Sequence, residues 1–268
     1  MPSGQPSSSR IRRVSSDELA VMADLESFPP LFDAIVIGAS GGIGGALVAA
    51  LADSDAVRSV AALSRGDCAI EHSKVRPGRI DIENEASIAT AAAGCRGLTA
   101  RIVIVATGLL HDGASMQPEK SANDLDPARL ARSFAVNAVG PALVIKHFAP
   151  LLPRTGKSVF AALSARVGSI SDNRLGGWYG YRASKAALNQ VLRTASIEFA
   201  RRWREAVFIG LHPGTVATGL SEPFRSRVAP AKLFPPAHAA SGLLAVLDGV
   251  RAADSGKVIA WDGKVVEP

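Results

Sequence analysis

An uncharged run broken by crowded glycines constrains the fold of this chain more than any other feature. Residues 34–52 read "AIVIGASGGIGGALVAALA", 19 positions without a charge, close to the length that crosses a bilayer. Five of those positions are glycines, all between Gly38 and Gly45, and they divide the run into two apolar pieces. Glycine is among the poorest residues for a helix interior, so one continuous spanning helix is disfavoured. A buried strand, a glycine turn and an apolar helix account for the run, and a soluble chain without membrane association is expected.

The turn itself, "GASGGIG", spaces its glycines as GxxxGxG. Gly38 lets the chain reverse tightly after the strand. Gly42 and Gly44 let a phosphate and the next helix approach the backbone, with Ser40 and Ile43 in the same turn. A helix that starts there points free N–H groups and a positive dipole end at a pyrophosphate. The stretch is therefore expected to hold a dinucleotide.

Beyond residue 31 the chain alternates. Apolar, β-branched runs occupy 32–37, 58–63, 79–82, 101–106, 157–163, 207–211 and 257–261, with helical stretches near 43–53, 84–93, 126–149, 182–203 and 237–249. Strands apolar on both faces and separated by helices suit a buried parallel sheet with right-handed crossovers. The expectation is α/β: one Rossmann-type, doubly wound parallel sheet of about seven strands, covered by helices on both faces, over residues 31–268. Residues 1–30 are rich in serine and proline without apolar periodicity and are expected to be a disordered extension. A cytoplasmic protein is expected, with a start at Met22 as one reading of the extension; its early arginines, free of acids, make organellar targeting the alternative.

The end of the second strand, about 20 residues past the turn, is where a dinucleotide site reads the ribose. It holds Ser64 and Arg65 instead of a carboxylate. A guanidinium can grip a 2′-phosphate through two hydrogen bonds, so NADP(H) is expected over NAD(H). Asp81, followed by Ile82, ends the third strand and either bonds the adenine amino group or caps the next helix.

The net charge of +6 and pI near 9.7 invite a nucleic-acid reading. The dense cluster Arg201, Arg202 and Arg204 instead suits a helix C-terminus and lacks interleaved aromatics, so no nucleic-acid partner is expected. Cys68 and Cys95 form no CxxC, and the histidines form no ligand pair, so no metal site is expected.

Both tyrosines of the chain fall in "GWYGYRASK". Tyr181 and Lys185 stand four apart at the start of a helical stretch, which places phenol and ammonium on one face. The ammonium and a positive nicotinamide together favour the phenolate, so Tyr181 can exchange a proton with a carbonyl or alcohol. Tyr179 has Ala183 at the corresponding spacing and is assigned to the pocket wall or the start of the helix.

With GxxxGxG, YxxxK and the later "HPGTVAT" in place, the chain resembles a classical short-chain dehydrogenase/reductase over 33–262, and within that family the C-factor-like subgroup, through "GSISDNRLGGWYGYRASKAALN" and "WDG". The resemblance implies a proton relay that includes Asn137, and nicotinamide contacts from Pro213, Gly214, Val216 and Thr218. It also implies a homodimer or homotetramer packed through the helices at 126–149 and 182–203. The family's Asn-Ala-Gly reads here as Ala106, Thr107, Gly108, which loses a bracing amide while Gly108 keeps the approach to cofactor. The family's Ser-x-x-Gly aligns Ala165 with the serine that orients substrate, leaving Ser164 one residue early. A strand-end bulge that turns Ser164 into the site is expected, with Ser169 as the alternative.

The substrate is expected to be a small carbonyl or alcohol compound, apolar or aromatic from Trp178 and Phe224, bordered by Leu109, Leu110, His111, residues 174–178 and a lid at 219–235. An NADP(H)-dependent oxidoreductase is the leading reading. A nucleotide-binding signalling protein with little turnover is the other.

Overall fold

The computed structural model describes residues 24–113 and 115–268, apart from the side chain of Arg227. Its eight-stranded sheet has the order β10-β9-β6-β5-β4-β1-β2-β3. The strands are β1 (Phe32–Ile37), β2 (Val57–Ser64), β3 (Val75–Arg79), β4 (Ala100–Val105), β5 (Ser158–Leu163), β6 (Ala206–His212), β9 (Val258–Ala260) and β10 (Val265–Val266). All pairings are parallel except β10 on β9. A separate ribbon pairs β7 (Thr215–Val216) with β8 (Leu233–Phe234).

Alternation along the strands divides the core between the two faces. Ala34 and Val36 of β1 pack with α1 (Gly42–Asp53) and α6 (Pro236–Gly249). Ile35 and Ile37 face α2 (Glu85–Gly94), α4 (Gly140–Phe148) and α5 (Tyr179–Phe199). The one carboxylate within β1, Asp33, is fully buried. Burial opposes its charge, but bonds from Arg58, the Ser59 hydroxyl and the Thr99 amide outweigh that and hold the carboxyl below its usual range.

Sequence and structure part at four places. The third strand is not 79–82 but Val75–Arg79, "VRPGR". Pro77 and Gly78 disguise it, and a proline is tolerated there because β3 is the sheet edge. The expected helix at 126–149 is α3 (Pro127–Phe134), a π-helical turn at Ala135–Val139, and then α4. The expected helix at 182–203 begins three residues earlier and ends at Phe199, so the arginine cluster lies beyond it. The extension expected over 1–30 lies outside the described residues up to 23, but from Asp24 the chain packs. Leu25 and Phe28 join the core, with the Phe28 and Phe32 rings 5.2 Å apart.

The 25-residue run Pro127–Leu151 has the length and apolar character of a membrane span, and half of it is buried within the fold, as in a core helix.

The β1–α1 turn admits no side chain at its third glycine. A Cβ on Gly44 would lie 2.1 Å from the Gly38 carbonyl oxygen, which is backbone and cannot swing aside. Gly44→Ala should therefore cost about 3 kcal/mol in urea unfolding. Gly94, helical and with nothing within 4 Å of its Cβ position, should gain about 0.5–1 kcal/mol as alanine.

Candidate active site

Strand order reverses between β1 and β4, and in an open α/β sheet that is where the crevice forms. Gly38, at φ +91°, brings the β1 turn against the β4 turn: its Cβ position lies 2.9 Å from the Ala106 carbonyl carbon. A cavity of about 310 Å³ opens at this reversal. Gly38, Ser40, Ala106 and Gly108 line it, as expected, and Gly41 joins them. Gly42, Ile43 and Gly44 form the first turn of α1 just behind. No side chain caps that turn and no acid sits in it, so its amides are free for an anion.

Ser64, Arg65 and Ile82 line the far end of the cavity. The Ser64 hydroxyl is turned onto the Gly66 carbonyl at 2.6 Å. The Arg65 guanidinium lies 3.6 Å from the carboxylate of Glu83, a lining residue absent from the expectations. Asp81 does not cap the next helix. It is not among the lining residues, its carboxylate accepts from the Glu83 amide at 3.0 Å, and the N-cap of α2 is Asn84, which accepts from Ser87. Thr107, Leu109, Arg132 and Val136 also border the cavity. The Thr107 hydroxyl is buried without a partner, next to Ala106, which stands where the resembled family carries an amide. Arg132 and Val136 gave no sequence signal, because only the packing of α3 and its π turn brings them there.

The other group of chemical residues is organised by α5. Lys185, 2 % exposed, donates from Nζ to the Leu163 carbonyl at the end of β5 at 2.7 Å, and Nζ is 5.8 Å from the Tyr181 ring centre. A Cβ on Gly108 would be 3.7 Å from both Lys185 Nζ and Asn137 Oδ1, so this pair lies directly behind the cavity wall. Asn137, fully buried on the π-helical turn, spends its amide on its neighbours. It accepts from the Leu109 N–H at 2.8 Å and donates to the Leu109 carbonyl at 2.8 Å and the Ser184 hydroxyl at 3.1 Å. π turns in α-helices recur at functional sites.

Burial pushes the Tyr181 phenol up to about 12 and the Lys185 ammonium down to about 8. The neighbouring ammonium alone therefore does not bring the phenol toward neutrality.

Ser164 does not enter the site as expected. β5 stays in register through Leu163, and Ser164 continues the ladder by donating its amide to the Leu211 carbonyl. No bulge intervenes, and its hydroxyl donates to Asn189 Oδ1 at 2.6 Å, two turns along α5 from Tyr181. The alternative, Ser169, is buried and accepts from the Asp172 amide within its own loop.

The start of α5 is held by Glu119, which the sequence did not flag. Gly176, Gly177 and Trp178 are consecutive left-handed residues at φ +64°, +63° and +53°. Glu119, 4 % exposed, fixes this turn twice: its carbonyl accepts from Trp178 N–H and its carboxylate from Gly180 N–H. The Trp178 ring meets Tyr181 edge-on and Phe224 of the lid at 5.0 Å between ring centres. His111 bonds the Gly219 carbonyl, and its ring lies 5.9 Å from that of Phe224. Tyr179 is exposed as the first residue of α5 and lines nothing. Pro213 and Gly214 turn after β6, with Phe234 and Trp261 against Gly214, while Val216 lies on β7 and Thr218 contacts Gly42.

Lys185 sets a pH signature. An unfolded lysine near 10.5 binds more protons than the buried one between about pH 8 and 10.5, so stability rises with pH across that window. Lys185→Met removes the effect. Its stability advantage over the original chain should shrink by about 2 kcal/mol from pH 8 to pH 10 in denaturant titrations.

The short chain dehydrogenase family profile matches residues 33–229. The C-signal protein of Myxococcus xanthus is 36 % identical over 143 residues, covering 53 % of this chain and 81 % of that protein. A 1-hydroxy-2-glutathionyl-2-methyl-3-butene dehydrogenase of Rhodococcus sp. (strain AD45) is 30 % identical over 234 residues, 87 % of this chain and 98 % of its own length. The structure of an NADPH-bound carbonyl reductase from chicken fatty liver superposes with a TM-score of 0.77 at 24 % identity, covering 92 % of this chain and 98 % of that one. The family match and the near full-length Rhodococcus relative agree with the parallel sheet, the glycine cradle and the Tyr-Lys pair: this chain belongs to the short chain dehydrogenase family of oxidoreductases.

Proposed function

We propose that the chain transfers hydride between NADP(H) and a carbonyl or alcohol substrate, with Tyr181 as general acid and base. The observation that carries this reading is the placement of Lys185 and Asn137 against the wall of a glycine-lined crevice, with the Tyr181 ring centre 5.8 Å from the Lys185 ammonium. Gly38, Ser40, Gly42, Ile43 and Gly44 would hold the pyrophosphate on the free amides of α1. Ser64, Arg65 and Ile82 would hold the adenosine end, and Ala106 and Gly108 the middle. Pro213, Gly214, Val216 and Thr218 would take the nicotinamide amide. Bound NADP(H) would supply the hydride and, in its oxidised form, a positive charge beside the phenol.

In reduction the Tyr181 O–H gives its proton to the substrate oxygen; in oxidation the phenolate takes it back. Lys185 supports the phenolate as an adjacent cation, and its own lowered affinity for protons lets it pass one on near pH 8. Asn137 fixes the backbone of Leu109 and the α5 hydroxyl of Ser184, which keeps the crevice wall and the tyrosine in one arrangement. Trp178, Phe224 and His111 roof the site with aromatic surface, which favours an apolar or aromatic ketone or aldehyde.

A second reading has specific support. The C-signal likeness, together with Ala165 at the aligned serine position and Ser164 bound to Asn189, favours a nucleotide-binding protein with little turnover. NADPH oxidation against a panel of aldehydes and ketones separates the two, because tight NADPH binding without oxidation supports the second.

Under the enzymatic reading, Tyr181→Phe should lower kcat/KM by about 10³-fold with NADPH affinity unchanged. Tyr179→Phe should keep more than about half of the turnover, since its ring touches none of the reacting groups. Arg65→Ala should weaken NADPH binding about tenfold and leave NADH binding within about twofold, measured by fluorescence titration.

A further inference from the structure

We infer that Glu83 is a second reader of the coenzyme's 2′ position, opposed to Arg65, and that the balance of the two sets the ratio of NADPH to NADH affinity. This rests on the dinucleotide reading above and names a residue which that reading does not use. Arg65 and Glu83 line the same cavity as Ser64 and Ile82, the residues that would hold the adenosine. The Arg65 Nη1 to Glu83 Oε2 distance is 3.6 Å, within an ion pair and longer than a hydrogen bond. The guanidinium is thus drawn toward the carboxylate without being locked to it.

The two ends of the pair differ in mobility. Arg65 is 67 % exposed at its side chain and free to swing, whereas Glu83 is 30 % exposed and anchored. Its N–H is held by the Asp81 carboxylate, and the next residue, Asn84, caps α2. Arg65 is the single basic partner of Glu83 among the described residues. Arg79, the other cation nearby, is engaged by Asp67 and by the Arg65 carbonyl.

The chemistry of the 2′ substituent then decides the sign. A 2′-phosphate carries about two negative charges at neutral pH, attracts Arg65 and is repelled by Glu83. A 2′-hydroxyl donates to a carboxylate and gains little from a guanidinium. Dinucleotide sites for NAD place such a carboxylate at the end of the second strand. Here Ser64 and Arg65 hold that place, and the carboxylate reaches the same cavity from the loop after β3. Binding of a 2′-phosphate must draw Arg65 off Glu83, while a 2′-hydroxyl can leave the pair intact.

The test titrates purified full-length chain with NADPH, NADH, 2′,5′-ADP and 5′-AMP, reading affinity by calorimetry rather than by turnover. Glu83→Gln should tighten NADPH and 2′,5′-ADP about tenfold and weaken NADH about threefold, moving the affinity ratio by about 30-fold. Glu83→Asp keeps the charge and should leave the ratio within about threefold of the original, with unchanged unfolding midpoints in both variants. In an Arg65→Ala background, Glu83→Gln should still tighten NADPH, because the direct repulsion remains. A ratio within about twofold of the original in Glu83→Gln overturns the role of Glu83 while leaving the dinucleotide reading standing. Failure of the unsubstituted chain to bind either coenzyme overturns both.

Discussion

A lysine ammonium buried to 2 % exposure is tolerated only where something accepts its protons, and here that acceptor is the Leu163 carbonyl at the last residue of β5. The contact ties α5 to the carboxyl end of the sheet. β5 ends at Leu163, and its final carbonyl is taken by this side chain. The cost of enclosing the charge appears as a proton affinity lowered to about 8. The same burial raises the phenol of Tyr181, so the two groups sit far from their solution behaviour before any partner arrives. Where a helix places such groups side by side, their charge states are set by the interior as much as by each other.

Asn137 does a comparable job for the polypeptide on the other side of the wall. Its position within a π-helical turn matters, because the extra residue per turn re-aims the side chain between α3 and α4. From there one amide bonds both backbone groups of Leu109 and the hydroxyl of Ser184, joining the β4 loop to α5. Ser133 and Ser184, both fully buried, complete the cluster at 3.1 Å from one another. Polar groups this deep add rigidity only when all are satisfied, as these are.

What was legible in the sequence was local. The strand, glycine turn and helix at 32–53 are neighbours along the chain, and Tyr181 with Lys185 needs only the helical repeat. The alternation of apolar runs and helices also carried the parallel sheet, but particular contacts between distant residues did not show. Val75–Arg79 is a strand because β2 templates it, although Pro77 and Gly78 speak against one. Ser164 faces Asn189 because β5 keeps its register against β6, a fact no local pattern carries. Glu83 carried no signal of its own, and the placement of β3 beside β2 brings it to Arg65. Asp81 was a possible cap of α2, but Asn84, three residues on, caps it and Asp81 accepts from the Glu83 amide instead.

The left-handed turn at 176–178 has a consequence for how this site can diversify. Two of its three residues are glycines, whose backbone angles L side chains rarely adopt, so those positions are closed to change. The third, Trp178, accepts the unfavourable conformation because Glu119 grips its amide, and it is the residue whose ring faces Tyr181. Variation among descendants of this chain is therefore channelled to a single letter. A new side chain at 178 meets an unaltered backbone and faces the ring of Tyr181, so the surface beside that ring can be exchanged without re-inventing its frame.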